Sequence, residues 1–330
     1  MPTSPLTTNG RWGAYLSCVL VVVFYSGNIL TGSALADLPP FTVAFFRVVI
    51  ATVVLLPLGW RAAYRDRSVF RHHARPLLFL TITGVTFFNT FIYAALHFTS
   101  ASNVSVLETV IPVVTALLSA WLLRERLRWV QWAGVMLSLA GAVWVVLAGS
   151  ARSGAGRLNA GDLIMLAAIV SWSLYSIGVK RYMHLFPAYG VVLVMTGLSV
   201  VVLLPFAVGE WVIGGMFQIG HWPFWSGLLY LGIFPSVVAL ILYNRAVMTL
   251  GASQASVFLN FLPVVTMLGA YVLLDETITL PQIFGATLVV AGVLLTTTTA
   301  PAAVTTQESP DPASPPGRRP ASERLQDPGA

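Results

Sequence analysis

Two residues of opposite charge, Arg47 and Glu108, stand inside stretches that are otherwise almost wholly apolar. A charged side chain at membrane depth is costly, so it is expected to face the bundle interior and to have a partner or a task. Glu108 lies six positions into its stretch, about 9 Å below the boundary at 1.5 Å per residue. Arg47 lies six positions after Phe41, at matching depth if both stretches run inward. One reading is a static ion pair that fixes helix packing; such pairs add little net stability, although removing one partner is costly. In the other, Arg47 binds a carboxylate and Glu108 binds an ammonium or a proton. Together the two charges suit a zwitterionic amino acid.

Glu108 belongs to a polar stripe. At 100° per residue, Ser105, Glu108, Pro112, Thr115 and Ser119 fall within an arc of about 80°, and such a stripe faces protein or water rather than lipid. Pro112 withholds a backbone donor and is a hinge candidate, or a packing kink. Pro263, with Ser256, Asn260 and Thr266, repeats the pattern and is the second hinge candidate. A further face carries Thr86, Asn89, Tyr93 and His97, of which Asn89 and Tyr93 are candidates to line a substrate path. Their counterparts Val237, Leu240, Asn244 and Met248 are mostly less polar, which places the polar half of a cavity toward the outer side. Trp172 and Tyr175, with Tyr25 and Asn28, are lining candidates whose bland alternative is aromatic packing. Lys180 and Arg245 are expected to snorkel to the interface.

The elements that must position these residues follow from composition. The 330 residues are 57% apolar and 9% charged, with mean hydropathy +0.81. Soluble domains carry roughly 25% charged residues, so the chain reads as a membrane protein. Ten apolar stretches, each able to cross ~30 Å of hydrocarbon, run 12–31, 41–60, 76–98, 102–123, 128–148, 162–182, 188–208, 224–247, 253–274 and 281–299. The third is diluted by Thr81, Thr83, Thr86, Asn89 and Thr90. The first is too long for a signal core, so no cleaved leader is expected. Cys18, the single cysteine, excludes a disulfide within the chain. Residues 300–330, rich in Pro, Ser, Ala and charge, read as a disordered tail.

The second half repeats the first. Ser102–Gly141 aligns with Ser253–Gly292 at an offset of 151 without a gap, and sixteen of the forty positions are identical. The matches include Pro112–Thr115 with Pro263–Thr266, Glu125 with Glu276, Gln131 with Gln282, and Gly134 and Gly141 with Gly285 and Gly292. The glycine pairs, seven apart on one helix face, allow close helix contact. Five stretches per half is an odd number, so equivalent segments lie on opposite sides of the membrane. The basic residues Arg61, Arg65, Arg67, Arg71, Arg75, Arg124, Arg126, Arg128, Lys180 and Arg181 all fall on one side if both termini are cytoplasmic, leaving Arg152 and Arg157 outside. The duplicated turn reads Arg124–Arg128 on the inner side and Asp275–Thr279 on the outer. Basic charge is thereby explained by orientation, and no nucleic-acid partner is expected. The expected organisation is a cytoplasmic segment 1–11, repeats 12–148 and 162–299, an external linker 149–161 and the cytoplasmic tail.

The repeats resemble EamA-type transporters of the drug/metabolite transporter superfamily. The resemblance rests on Pro40 with Phe45-Phe46-Arg47, on the Tyr93–Asn103 segment, and on Pro112–Leu123 followed by Glu125, Gln131 and the glycines. Ala246–Ser253, Pro263, Glu276, Gly285 and Trp172-Ser173 repeat it in the second half. It implies ten helices in two inverted five-helix repeats around a central cavity, and export of amino acids, other metabolites or drugs, with some importers. Two departures are Tyr25-Ser26, where the family often has Trp-Gly, and Glu108, where a neutral residue is more usual.

The resulting expectation is an all-α membrane protein of ten transmembrane helices in a bacterial-type inner membrane. Its function is secondary transport, exporting small metabolites such as amino acids by alternating access, with a proton as a candidate coupling ion at Glu108. The rival within the fold is a lipophilic-cation or drug exporter in which Glu108 is the sole essential charge. A remote rival is an intramembrane lipid-acting enzyme using Glu108 and His97. No phosphate loop, HExxH or Cys/His metal spacing is present in the sequence, so no cofactor, metal or catalytic residue is expected. Transport must then run on a gradient, where one charge moved through 100 mV supplies about 2.3 kcal/mol.

Overall fold

The apolar stretches fold as helices, the form that satisfies every backbone donor and acceptor within one segment in hydrocarbon. The computed structural model describes residues 8–98, 101–123, 128–150, 160–214, 222–274 and 280–298, and every regular element among them is helical. In chain order these are α1 (Thr8–Ala34), α2 (Pro40–Arg65), α3 (Ala74–Leu96), α4 (Ala101–Glu108 and Ile111–Leu122), α5 (Trp129–Ser150) and α6 (Ala160–Tyr182). They continue as α7 (Ala188–Gly214), α8 (Trp222–Ile233, Phe234–Ala239 and Leu240–Leu250), α9 (Ala252–Val257, Phe258–Phe261 and Leu262–Leu274) and α10 (Leu280–Thr298). Among the described residues seven helices are long and apolar enough to cross a membrane: α1, α2, α3, α6, α7, α8 and the Ala252–Gly269 part of α9. Segment 1–7, the turns 124–127 and 275–279, the linker residues 151–159 and everything from 299 onward lie outside the described residues.

The packing is reciprocal between the halves. Helices α5 and α10 form one extensive contact and α2 and α7 another, each joining repeat-equivalent elements. The remaining large contacts exchange partners: α1 lies on α8 and α9, while α6 lies on α3 and α4. At the α5–α10 crossing the glycines are sterically required. A Cβ on Gly141 would stand 2.8 Å from the Gly285 carbonyl oxygen, and one on Gly292 would stand 2.7 Å from that of Gly134. The expected close contact is therefore made, and made twice.

Departures from α-helix geometry also come in equivalent places. Helix α3 widens to a π-helical segment at Thr81–Phe87 and α8 does so at Phe234–Ala239. Three of the four threonines that dilute the third stretch, Thr81, Thr83 and Thr86, fall here. Thr81 and Thr83 return their hydroxyls to the carbonyls of Leu77 and Phe79, at 2.9 and 2.7 Å. Helix α4 breaks between Glu108 and Ile111, just before Pro112, and α9 tightens to a 3-10 turn at Phe258–Phe261, just before Pro263. The missing proline N–H and its ring clash account for both interruptions.

Candidate functional site

Helix α2 starts at Pro40, whose fixed φ suits a first helical turn and whose absent N–H leaves nothing unsatisfied there. The next donors are held from α7: Glu210 accepts the Phe41 and Thr42 N–H groups at 3.0 and 2.7 Å and the Thr42 hydroxyl at 2.8 Å. A carboxylate at a helix N-terminus also complements the helix dipole. Trp211 Nε1 donates to Thr42 Oγ1 at 3.0 Å. This anchored start fixes the position of Arg47.

Arg47 is 3% exposed and meets only neutral acceptors. Its Nε donates to Ser236 Oγ of α8 at 2.9 Å, and its Nη1 donates to Asn28 Oδ1 of α1 at 3.2 Å and to Tyr93 Oη of α3 at 2.5 Å. Tyr93 in turn donates to Asn28 Oδ1 at 2.9 Å, and its ring lies under the guanidinium, 5.6 Å from centroid to Cζ. Ser236 donates onward to the Leu231 carbonyl at 2.6 Å, inside the region where α8 departs from α-helical geometry. Among the described residues Nη2 donates to no protein atom, although a guanidinium carries five N–H groups. Arg47 lines a small cavity with Tyr25, Asn89, Trp172, Ser236 and Pro235, and the space holds about one water molecule.

The static Arg47–Glu108 ion pair, one of the readings above, is not formed among the described residues. Among the described residues no ion pair joins them and no hydrogen bond reaches the Glu108 carboxylate, which is 3% exposed. The reason is lateral: α2 packs on α7, α8 and α3, whereas the first segment of α4 packs on α1, α6, α9, α5 and α3. The two elements share α3 as a neighbour, but α2 is held mainly by α7 and α8 and the start of α4 mainly by α6, α9 and α1. Tyr25 of α1 stands within electrostatic range of both.

The rest of the stripe is inside as expected: Ser105, Pro112, Thr115 and Ser119 are all buried. Thr115 donates to Ser173 at 3.1 Å, and the repeat-equivalent Thr266 meets Ser26 at 2.6 Å. Each half thus contributes a threonine to the first helix of the other. Trp172 is fully buried at the centre of an aromatic cluster, with ring centroids 4.4 Å from Phe88, 4.9 Å from Tyr243, 5.1 Å from Tyr175 and 5.6 Å from Tyr25. It lines the cavity; Tyr175 lies behind it and donates to Asn244 Oδ1 at 2.6 Å. Asn89 is half-buried at the cavity wall, while His97 is exposed at the end of α3. Among the described residues no group of three His, Cys, Asp or Glu side chains is placed to hold a metal ion.

Ser236 and Glu210 escaped the sequence reading. A lone serine in an apolar helix has no signature, and Glu210 reads as an interfacial charge; only contacts across more than 160 residues reveal them.

The buried Arg47 cation thus stands at the junction of α1, α2, α3 and α8. The EamA-like transporter family matches residues 11–147 and again residues 159–298. The chain belongs to the EamA-like transporter family. It is a multi-pass membrane protein and a transporter of the drug/metabolite superfamily. The uncharacterized transporter YyaM of Bacillus subtilis (strain 168) is 26% identical over 292 residues, covering 83% of this chain and 92% of that one. An uncharacterized transporter of Archaeoglobus fulgidus is 27% identical over 288 residues, 86% and 96% of the two chains. A probable terminal-alkyne amino-acid exporter of Streptantibioticus cattleyicolor is 27% identical over 257 residues, 76% and 81% of the two. A solved crystal structure superposes with a TM-score of 0.67 at 23% identity, covering 86% of this EamA chain and 96% of that one, and so shares its fold.

Proposed function

We propose that this EamA-family protein is a secondary transporter that exports amino acids or similar small carboxylate-bearing metabolites by alternating access. The observation that carries the reading is Arg47: a buried guanidinium at a cavity, held by three neutral groups, with no carboxylate partner and no Nη2 bond among the described residues. An unpaired buried charge costs several kcal/mol, and a substrate carboxylate is the counter-ion that would offset this cost through a charge-assisted hydrogen bond from Nη2. The relative named a probable terminal-alkyne amino-acid exporter supports the substrate class.

On this reading ten helices cross the inner membrane as two inverted repeats, 12–148 and 162–299, joined by an outer linker 149–161. Segments 1–11 and 300–330 lie in the cytoplasm. The reciprocal packing of α1 and α6 supports the repeat relationship. Arg47, Asn89, Tyr93, Glu108, Trp172 and Tyr175 line or border the path, and the interruptions before Pro112 and Pro263 are the hinges about which the repeats rock. Glu108, buried with no hydrogen-bond or ion-pair partner among the described residues, is the site for a coupling proton or a substrate ammonium. The chemistry is transport, with no catalytic step.

The unpartnered Glu108 also favours a second reading, export of a lipophilic cation, in which Arg47 is structural. Counterflow of a labelled amino-acid mixture in proteoliposomes, with and without a proton gradient, separates them. Protein-dependent, gradient-sensitive exchange supports the amino-acid reading. No exchange from folded protein sinks it and directs the search to lipophilic cations.

A further inference from the structure

We propose that Asn28 is a specificity-determining residue, whose neutral amide oxygen holds the Arg47 guanidinium in place while leaving its charge uncompensated for a substrate carboxylate. The inference rests on the reading of Arg47 as the carboxylate site and names what keeps that site receptive. Asn28 Oδ1 accepts two hydrogen bonds, from Arg47 Nη1 at 3.2 Å and from Tyr93 Oη at 2.9 Å, and all three side chains are buried. An amide oxygen orients a guanidinium without cancelling its charge. A carboxylate of the same shape at the same point would form an internal ion pair and compete with the substrate.

The second half of the chain isolates the role. The hydrogen bond between Tyr93 and Asn28 recurs between Tyr175 and Asn244 with the residue types exchanged, since Asn244 stands 151 residues after Tyr93 and Tyr175 stands 147 after Asn28. No cation joins that second bond among the described residues. The Tyr–Asn bond is therefore a shared element of both halves, and the anion site is the addition of Arg47 to one of them. Any carboxylate selectivity should depend on residue 28 through charge.

The test uses the full chain in proteoliposomes, with labelled amino acids in counterflow and unlabelled amino acids or their carboxamides as competitors. Wild type is expected to be inhibited by the acids and not by the amides. Asn28→Asp is expected to raise KM at least tenfold, with Vmax within threefold and the preference for acids lost. Asn28→Ser, neutral but shorter, is expected to keep that preference even if slower. A merely structural asparagine would move rate and melting temperature in both variants and leave the acid-to-amide ratio unchanged. Wild-type KM and preference in folded Asn28→Asp, or lost preference in Asn28→Ser, overturns the proposal; the second result decides the matter if Asn28→Asp does not fold. Arg47→Gln separates the two levels. If it abolishes the preference while Asn28→Asp does not, the Arg47 reading stands and the role of Asn28 falls. If Arg47→Gln keeps the preference, or wild type exchanges no amino acid, the underlying reading falls and this inference with it.

Discussion

Asn28 and Tyr93 are joined by a 2.9 Å hydrogen bond whose twin in the other half of the chain, Tyr175 to Asn244 at 2.6 Å, has donor and acceptor on opposite helices. In the first pair the tyrosine comes from α3 and the asparagine from α1; in the second the tyrosine comes from α6 and the asparagine from α8. What the two halves share is therefore the bond between their first and third helices, with the residue types exchanged. Arg47 is attached to one pair only, and the polarity of the cavity is correspondingly one-sided.

Replacing Arg47 by Gln removes the charge but leaves Tyr93 bonded to Asn28. The melting temperature in detergent should therefore change little, while carboxylate transport falls about tenfold or more, the value of one charge-assisted hydrogen bond. Undiminished counterflow by the folded variant would remove Arg47 from the mechanism.

Glu108→Gln replaces a buried carboxylate, which has no hydrogen-bond or ion-pair partner among the described residues, by its neutral isostere. Thermal stability is expected to hold or rise, because no bond is lost and the cost of burying a charge disappears. If Glu108 carries the coupling proton, gradient-driven transport should fail while gradient-free counterflow persists. Retention of proton-gradient sensitivity in this variant would exclude that role.

At the α5–α10 crossing, Gly292→Ala would drive a methyl group into the Ser138 backbone nitrogen. Helix separation must grow, and we expect a destabilisation of about 1–3 kcal/mol. Gly13→Ala, where nothing lies within 4 Å of an added Cβ, serves as the control. Comparable melting curves for the two variants would mean that the crossing is looser than described.

Glu210→Ala strips the start of α2 of three hydrogen bonds. The expected cost is about 1–3 kcal/mol, seen in thermal melting. Thr42→Ala touches the same cap, so the double variant should lose less than the sum of the singles. Full additivity would show that the two residues act separately.

What the sequence by itself determined is local or periodic. Hydropathy located the helices, the 151-residue offset exposed the duplication, and 100° spacing put Ser105, Glu108, Pro112, Thr115 and Ser119 on a face that is indeed buried. The glycines seven apart foretold the α5–α10 contact, because a missing side chain needs no partner to be recognised. Only the tertiary structure decided who meets Arg47. Depth along a helix axis follows from residue count, but the neighbour at that depth depends on which helices lie side by side, and that is settled by contacts 19 to 189 residues apart. Arg47 and Glu108 looked like partners because residue counting put them at one level and their signs are opposite. Packing put α2 beside α7 and α8 and the start of α4 beside α6, α9 and α1, and among the described residues neither charge has a protein counter-ion.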